Sequence, residues 1–414
     1  MKIPAHEATT AQLGAVYPCV ATRVLPADAV LVGRDVFGGL FVYDPFLLYA
    51  AGVLTNPNMV VLGQIGRGKS AFVKSYLFRE AALGRRVVVL DPKGEYAPFA
   101  RSLGTTPVTL QPGGRYRLNP LDGVVDAGNP AARGSLSLIA ELAAACLGRA
   151  LVPAEHAAVE LAMASAARGC VRPTLPAVVA ALLEPEGISA REIRCTVENL
   201  REDGRQVALE LRRFVSGEFS GMFDGETSAG IDLHAQVVVV DLSAIYHSSA
   251  LGAALTCVSA AMQNAWRSSS PVKTFFVVDE AWAILQNVAA TRFLQSSLKL
   301  ARARGVANLI VVHRASDFFA AGSEGSVAAR IAEGLLADCE TLVCFAQADA
   351  ELTGTKRLFG LSDAEAELLA RLRRGVALWR VAGRPFLVEH RLSPIERNVV
   401  DTDAALVAEG DART

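Results

Sequence analysis

The sequence predicts an α/β fold in which a mostly parallel sheet is flanked by helices, with an all-helical insertion and a C-terminal β-hairpin. Three observations carry that reading. Short apolar runs recur between helix-length segments, the pattern of strands buried on both faces of a parallel sheet. The stretch from about Ala131 to Phe214 is rich in Ala, Leu, Glu and Arg and has no convincing strand. Near the end, "LWRVAGRPFLVEH" (378–390) reads as two strands turning at Ala382-Gly383.

In chain order, "VFGGLFVYDPFLLYAAGVL" (36–54) is the most apolar early stretch, but Asp44 and Pro45 near its middle divide it into a strand, a turn and a helix. No membrane span is expected. Met59 to Leu62 is a short buried strand, and "KSAFVKSYLFREAALG" (69–84) has helical spacing with Gly84 as its C-terminal cap. "RRVVVLD" is a second buried strand ending in "DPKGEY" at Asp91 to Tyr96, and further strands fall at 107–110, 236–242, 274–280, 307–313 and 340–346. Ser362 and Glu365 form a capping box that starts a late helix. These elements divide the chain into a lead-in segment (1–55), a core in two parts (56–130 and 215–394), the helical insertion (131–214) and a flexible tail (395–414).

Composition limits the function classes. A chain of 414 residues with 51% hydrophobic and 20% charged residues supports a large core plus a second lobe, and excludes a disordered protein. A formal net charge of −1 gives no global nucleic-acid footprint, so any DNA contact has to be local. Seven cysteines without a C-x-x-C pair fit reduced thiols in a cytosolic protein, with Cys339 and Cys344 as core residues. The six histidines show no metal-ligand spacing, and the N-terminus lacks a signal-peptide layout.

The chemistry starts at "MVVLGQIGRGKSAFVKS" (59–75), where G-x-x-x-x-G-K-[ST] lies between a strand pattern and a helix pattern. Gly63, Gln64, Ile65, Gly66, Arg67, Gly68, Lys69, Ser70 and Ala71 are the candidate nucleotide-binding residues. Glycines let successive N–H groups turn toward phosphate oxygens, Lys69 brings a charge to the β- and γ-phosphates, and the helix dipole favours the same anion. Ser70 and Asp279 are the candidate Mg²⁺ ligands, and Glu280 is the candidate for orienting or deprotonating the attacking water. The alternative for that acidic pair is to complement a helix dipole. Glu95 is either a γ-phosphate carboxylate or, with Asp91, a shaper of the turn. His313, at a strand end, is a γ-phosphate sensor or a core-edge histidine, and Arg302 and Arg304 are trans-acting fingers or surface charges. No N-K-x-D motif points to a GTPase, and no L-S-G-G-Q signature points to an ABC subunit.

"NPNMVVLGQIGRGKS", "VVVLDPKGEY", "LNPLD", "GEFSGMFDGETS" before "VVVVDLS", "VVDEAW" and "LFGLSDAEAELLARLRRGVALWR" together resemble the motor domain of the traffic ATPases of type IV secretion and conjugation, within the FtsK/HerA superfamily of P-loop ATPases. The resemblance spans roughly residues 30 to 392. It implies a RecA-like core, a homohexamer, and ATP with Mg²⁺ as cofactors. It further implies a membrane secretion or conjugation complex as partner, DNA or protein as cargo, and a cytoplasmic chain recruited to the inner face of the membrane through that partner. It carries the acidic pair onto Asp279 and Glu280 and the arginine onto Arg304. His313 stands where the family has glutamine, and only about 55 residues precede the phosphate loop, where family members carry a large docking domain. The competing expectations are a cytosolic DNA translocase of the same superfamily, a coupling protein, and an ATP-dependent assembly switch with slow hydrolysis.

Overall fold

The structure is a computed structural model. It describes residues 29–400 except 37–38, 123–138, 145, 171, 249–250, 268–271, 286–290, 293, 296–297, 299–303 and 320–326. The strands are β1 (Val30–Asp35), β2 (Leu40–Tyr43), β3 (Met59–Leu62), β4 (Arg86–Asp91), β5 (Val108–Thr109), β6 (Val237–Asp241), β7 (Thr274–Val278), β8 (Val306–Val312), β9 (Thr341–Cys344), β10 (Val376–Val381) and β11 (Arg384–His390). The helices that matter below are α1 (Pro45–Ala50), α2 (Lys69–Ala82), α3 (Ala97–Ser102), α4 (Pro153–Gly169), α5 (Leu175–Leu183), α6 (Gly187–Glu192), α7 (Val197–Val215), α8 (Leu251–Arg267) and α9 (Pro394–Val400).

One eleven-stranded sheet runs β2-β1-β11-β10-β9-β3-β8-β7-β4-β6-β5. From β9 to β5 every pairing is parallel, and from β9 to β2 every pairing is antiparallel. The parallel part is covered on both faces, as its unbroken apolar runs require. Alternation assigns the faces: Val60, Leu62, Val88, Leu90, Phe276, Val278, Ile310 and Val312 enter the core that includes α8 and the helical insertion. Their neighbours Met59, Val61, Val87, Val89, Phe275, Val277, Leu309 and Val311 face α2, α3 and the aromatic group of Phe41, Tyr43, Phe72, Tyr76 and Trp379.

Local chemistry sets the element ends. Asp44 accepts hydrogen bonds from the Phe46 and Leu47 N–H groups, and Pro45 occupies the first turn of α1, so the apolar stretch 36–54 breaks where Asp-Pro stands. Ser362 and Glu365 make the reciprocal capping box. The turn between β10 and β11 places Ala382 at φ 50° and Gly383 at φ 77°, the doubly left-handed pair that a two-residue hairpin of this twist needs. In the described part of 131–214, α4, α5, α6 and α7 pack together, with Gly204 of α7 against Leu182 of α5. At the amino end of β3, the buried Asn58 side chain accepts from Asn308 Nδ2 at 2.8 Å and donates to the Asp338 carbonyl at 3.0 Å.

In the described part of the lead-in segment, β1 pairs with β11 through Gly33–His390, Arg34–Glu389 and Asp35–Val388, so these residues complete the hairpin as a four-stranded wing. Residues 1–28 of that segment and 401–414 of the tail lie outside the described residues. The tail read from 395 onward begins as α9, whose Glu396 binds the Arg79 guanidinium of α2 at 2.7 Å. Arg79 also donates to the carbonyls of Leu31 and Arg391, so one guanidinium ties α9 and β1 to α2.

Candidate active site

β3 brings the chain to a cleft at the carboxyl ends of the parallel strands, and α2 carries it away. The loop between them is held from behind. The Phe345 N–H donates to the Leu62 carbonyl at 2.8 Å, the Gln64 N–H to Ala346 at 3.0 Å, and the Gly375 N–H to Arg67 at 3.0 Å. A Cβ on Gly63 would lie 2.6 Å from Cβ of Phe345, so only glycine permits that approach. Gly68, at φ 104°, is the N-cap of α2 and turns the chain with a backbone that Cβ-bearing residues disfavour.

The resulting cleft has a volume of about 550 Å³ and is lined by Gln64, Ile65, Gly66, Gly68, Lys69, Ser70 and Ala71. Gly63 and Arg67 act from behind the loop. Lys93, Glu95 and His313 line the cleft on one side, and Arg374, Gly375, His390, Leu392, Arg397 and Val400 on another. His390 sits 2.8 Å by Nε2 from Ser75 Oγ, and burial lowers its pKa to about 4, so the positive charge of this wall comes from Arg374 and Arg397.

Four adjacent strands, β3, β8, β7 and β4, deliver the polar groups. Lys69 is 4% exposed, and its Nζ lies 3.0 Å from His313 Nδ1. Burial lowers its pKa, against the pull of Asp279 and Glu280. An ammonium can only donate, so Nδ1 accepts and the ring proton sits on Nε2, which donates to Glu280 Oε1 at 2.7 Å. Lys93 Nζ meets the same oxygen at 2.6 Å, and Trp282 Nε1 donates to the other. Burial works against the charge on Glu280, but the hydrogen bonds from His313, Lys93 and Trp282 prevail and take its pKa to about 2. Glu280 also adopts φ 53°, a left-handed conformation uncommon for a residue with Cβ. Asp279 is buried, accepts from the Glu280 N–H at 2.9 Å, and has its pKa raised by that burial.

In the turn after β4, Asp91 accepts from the N–H groups of Gly94, Glu95 and Tyr96 at 2.9, 3.1 and 2.8 Å, so it organises that turn. That turn presents Lys93 and Glu95 to the cleft, Glu95 lying 3.7 Å from the fully buried Lys74. Lys93 carried no independent signal in the sequence beyond its place in "DPKGEY", and Arg374 and His390 reach the site only through pairings far along the chain.

The arginines stand elsewhere. Arg304 precedes β8, at the amino ends of the strands, roughly 20 Å along a seven-residue strand from the cleft of its own subunit. Arg302 lies outside the described residues.

The cleft suits a polyphosphate. The buried Lys69 ammonium faces it with His313 Nδ1 at 3.0 Å, and the glycine turn at the start of α2 adds the helix's positive end. Among the described residues no group of three or more His, Cys, Asp or Glu forms a metal site. A divalent ion held by Ser70 and Asp279 therefore needs oxygens from the nucleotide, which is how Mg²⁺ is commonly bound. No helix among the described residues is long and apolar enough to cross a membrane.

Fold and phosphate loop define a P-loop nucleotide-binding fold of the RecA-like class. Residues 53–250 match the family described as Helicase HerA, central domain. The solved structure of VirB4 of Thermoanaerobacter pseudethanolicus is similar, at 24% identity and a TM-score of 0.74, covering 91% of this chain and 99% of that one. The bacterial conjugative coupling protein TrwB is also similar, at 14% identity and a TM-score of 0.58, covering 89% of this chain and 91% of that one. TrwB has been solved with ADP and Mg²⁺, a form that matches at 13% identity and a TM-score of 0.57, covering 81% of this chain and 86% of that one. No curated protein sequence matches the chain.

Proposed function

We propose that this protein is an oligomeric, ATP-hydrolysing motor that powers conjugative DNA transfer or type IV secretion. The observation that carries the reading is that Lys69, Lys93 and His313 line one cleft beside the phosphate loop, with the buried Glu280 held just behind them by Lys93 and His313. The loop N–H groups and Lys69 hold the phosphates of ATP. Ser70 and Asp279 hold Mg²⁺, which supplies neutralisation of phosphate charge when bound. Glu280 orients the attacking water, while Glu95 and His313 border the position of the terminal phosphate.

Arg304 is too far from its own cleft to act there, so its role in hydrolysis is toward a neighbouring subunit in a homohexamer. The similarity to VirB4 and TrwB supports a conjugation or secretion complex as partner, DNA as the candidate cargo, and a cytoplasmic position reached through that complex.

Steady-state ATP hydrolysis, measured across a series of protein concentrations with and without single- and double-stranded DNA, tests the reading. Turnover per subunit that rises with protein concentration and with DNA is expected. ATP binding with negligible turnover at every concentration and with either DNA would point to an assembly switch.

A further inference from the structure

Building on the ATPase reading, we propose that Lys93 is a specificity-determining residue that reads the terminal phosphate, and that it does so in competition with Glu280. Lys93 projects from the turn after β4 and lines the same cleft as Lys69. The two ammonium groups flank one imidazole, 3.0 Å from His313 Nδ1 and 3.5 Å from Nε2, so the ring stands between them. Lys69 rises from the phosphate loop itself, whereas Lys93 comes from the side of β4 and β7, beside the water-activating carboxylate. A phosphate chain seated on the loop meets Lys69 first and Lys93 at its outer end.

The neighbours of Lys93 are Glu280 Oε1 at 2.6 Å, His313, and the Tyr246 ring at 6.0 Å. Its side chain is 29% exposed and flexible enough to turn from carboxylate to phosphate. One ammonium cannot fully serve both anions. A third phosphate therefore draws Lys93 from Glu280, and freeing the carboxylate is thermodynamically linked to binding the triphosphate. A diphosphate ends short of Lys93 and leaves the ion pair in place.

The test is the affinity of the full chain for ADP and for a non-hydrolysable ATP analogue, by titration calorimetry, in wild type, Lys93→Met, Lys93→Arg, Glu280→Gln and the Lys93→Met/Glu280→Gln double variant. Lys93→Met should leave ADP affinity within about twofold and weaken the analogue about 10- to 100-fold, the range for one charge-assisted contact. Lys93→Arg should recover most of that loss. Glu280→Gln should tighten the analogue when Lys93 is present and do nothing in the double variant. Parallel losses for ADP and the analogue, or no loss for either, would overturn the proposal, as would a Glu280→Gln effect of equal size with and without Lys93. A wild type that binds neither nucleotide would overturn the ATPase reading together with this one.

Discussion

Glu80 offers a quantitative test of how the phosphate-loop helix is packed. It lies on α2 with a fully buried side chain, its carboxyl facing the equally buried Tyr76 hydroxyl. The nearest cation, Arg85, is 3.7 Å away and is committed to Asp44 at 2.7 Å. Burial, with the Asp44 charge adding to it, raises the Glu80 pKa to about 8 from 4.5. A folded-state value above the unfolded one means that, between those two values, the unfolded chain has lost a proton that the folded chain keeps. Stability from this group is thus fully present below about pH 4.5 and is lost as pH rises to about 8, at close to 1.4 kcal/mol per pH unit. The full span amounts to on the order of 5 kcal/mol. Glu80→Gln removes the titration while keeping the shape. Urea unfolding of both proteins from pH 5 to 8.5 should show curves that converge at the acid end and separate steadily toward pH 8, with the variant more stable. Curves that stay parallel across the range would refute the reasoning, because slopes from all other groups cancel in the difference.

The remaining predictions concern catalysis. Lys69→Ala should lower nucleotide affinity at least 100-fold, as loss of the loop's only buried cation would; wild-type binding by fluorescent nucleotide titration would remove the assignment. Glu280→Gln should retain ATP and lose turnover by about 10²- to 10⁴-fold, with persistent hydrolysis shifting the water-orienting role to Glu95. Arg304→Ala should lose activity yet regain part of it when mixed with Glu280→Gln subunits, since a group acting across subunits can be supplied by a neighbour; a mixture with no more activity than either variant alone would reduce Arg304 to a structural charge.

Much of the fold was legible because its signals are local. Apolar runs mark β3, β4, β6, β7, β8 and β9; β3 matches its run, β8 is shifted by one residue, and the other four are slightly shorter than the stretches that announce them. Ala382-Gly383 marks its own turn, and Asp44-Pro45 marks its own helix start. The phosphate loop was legible because its glycines are needed within one turn of chain. What local pattern did not reveal depends on distant partners. Nothing in "VLVGRD" announces pairing with residues 388–390, and nothing in "PIERNVV" announces that Arg79 will hold it. Lys93 and the Arg374 to Val400 wall belong to the cleft only because β4, β10 and β11 end where they do. That Asp91 shapes its turn through three N–H groups, while Glu95 of the same turn lines the cleft, required the structure.

The position of β3 in the sheet also sets when the site can exist during synthesis. β3 is hydrogen-bonded between β8 and β9, and Asn58 at its start is bonded to Asn308, 250 residues later. The loop is braced further by Gly375. A ribosome that has released only the first half of the chain has therefore made every residue of the phosphate-binding motif and none of the strands that hold it in shape. Such a long sequence separation is slow to close and leaves the apolar strand uncovered meanwhile. Nucleotide cannot template early folding here, and truncated products should be found with chaperones or proteases and not with ATP.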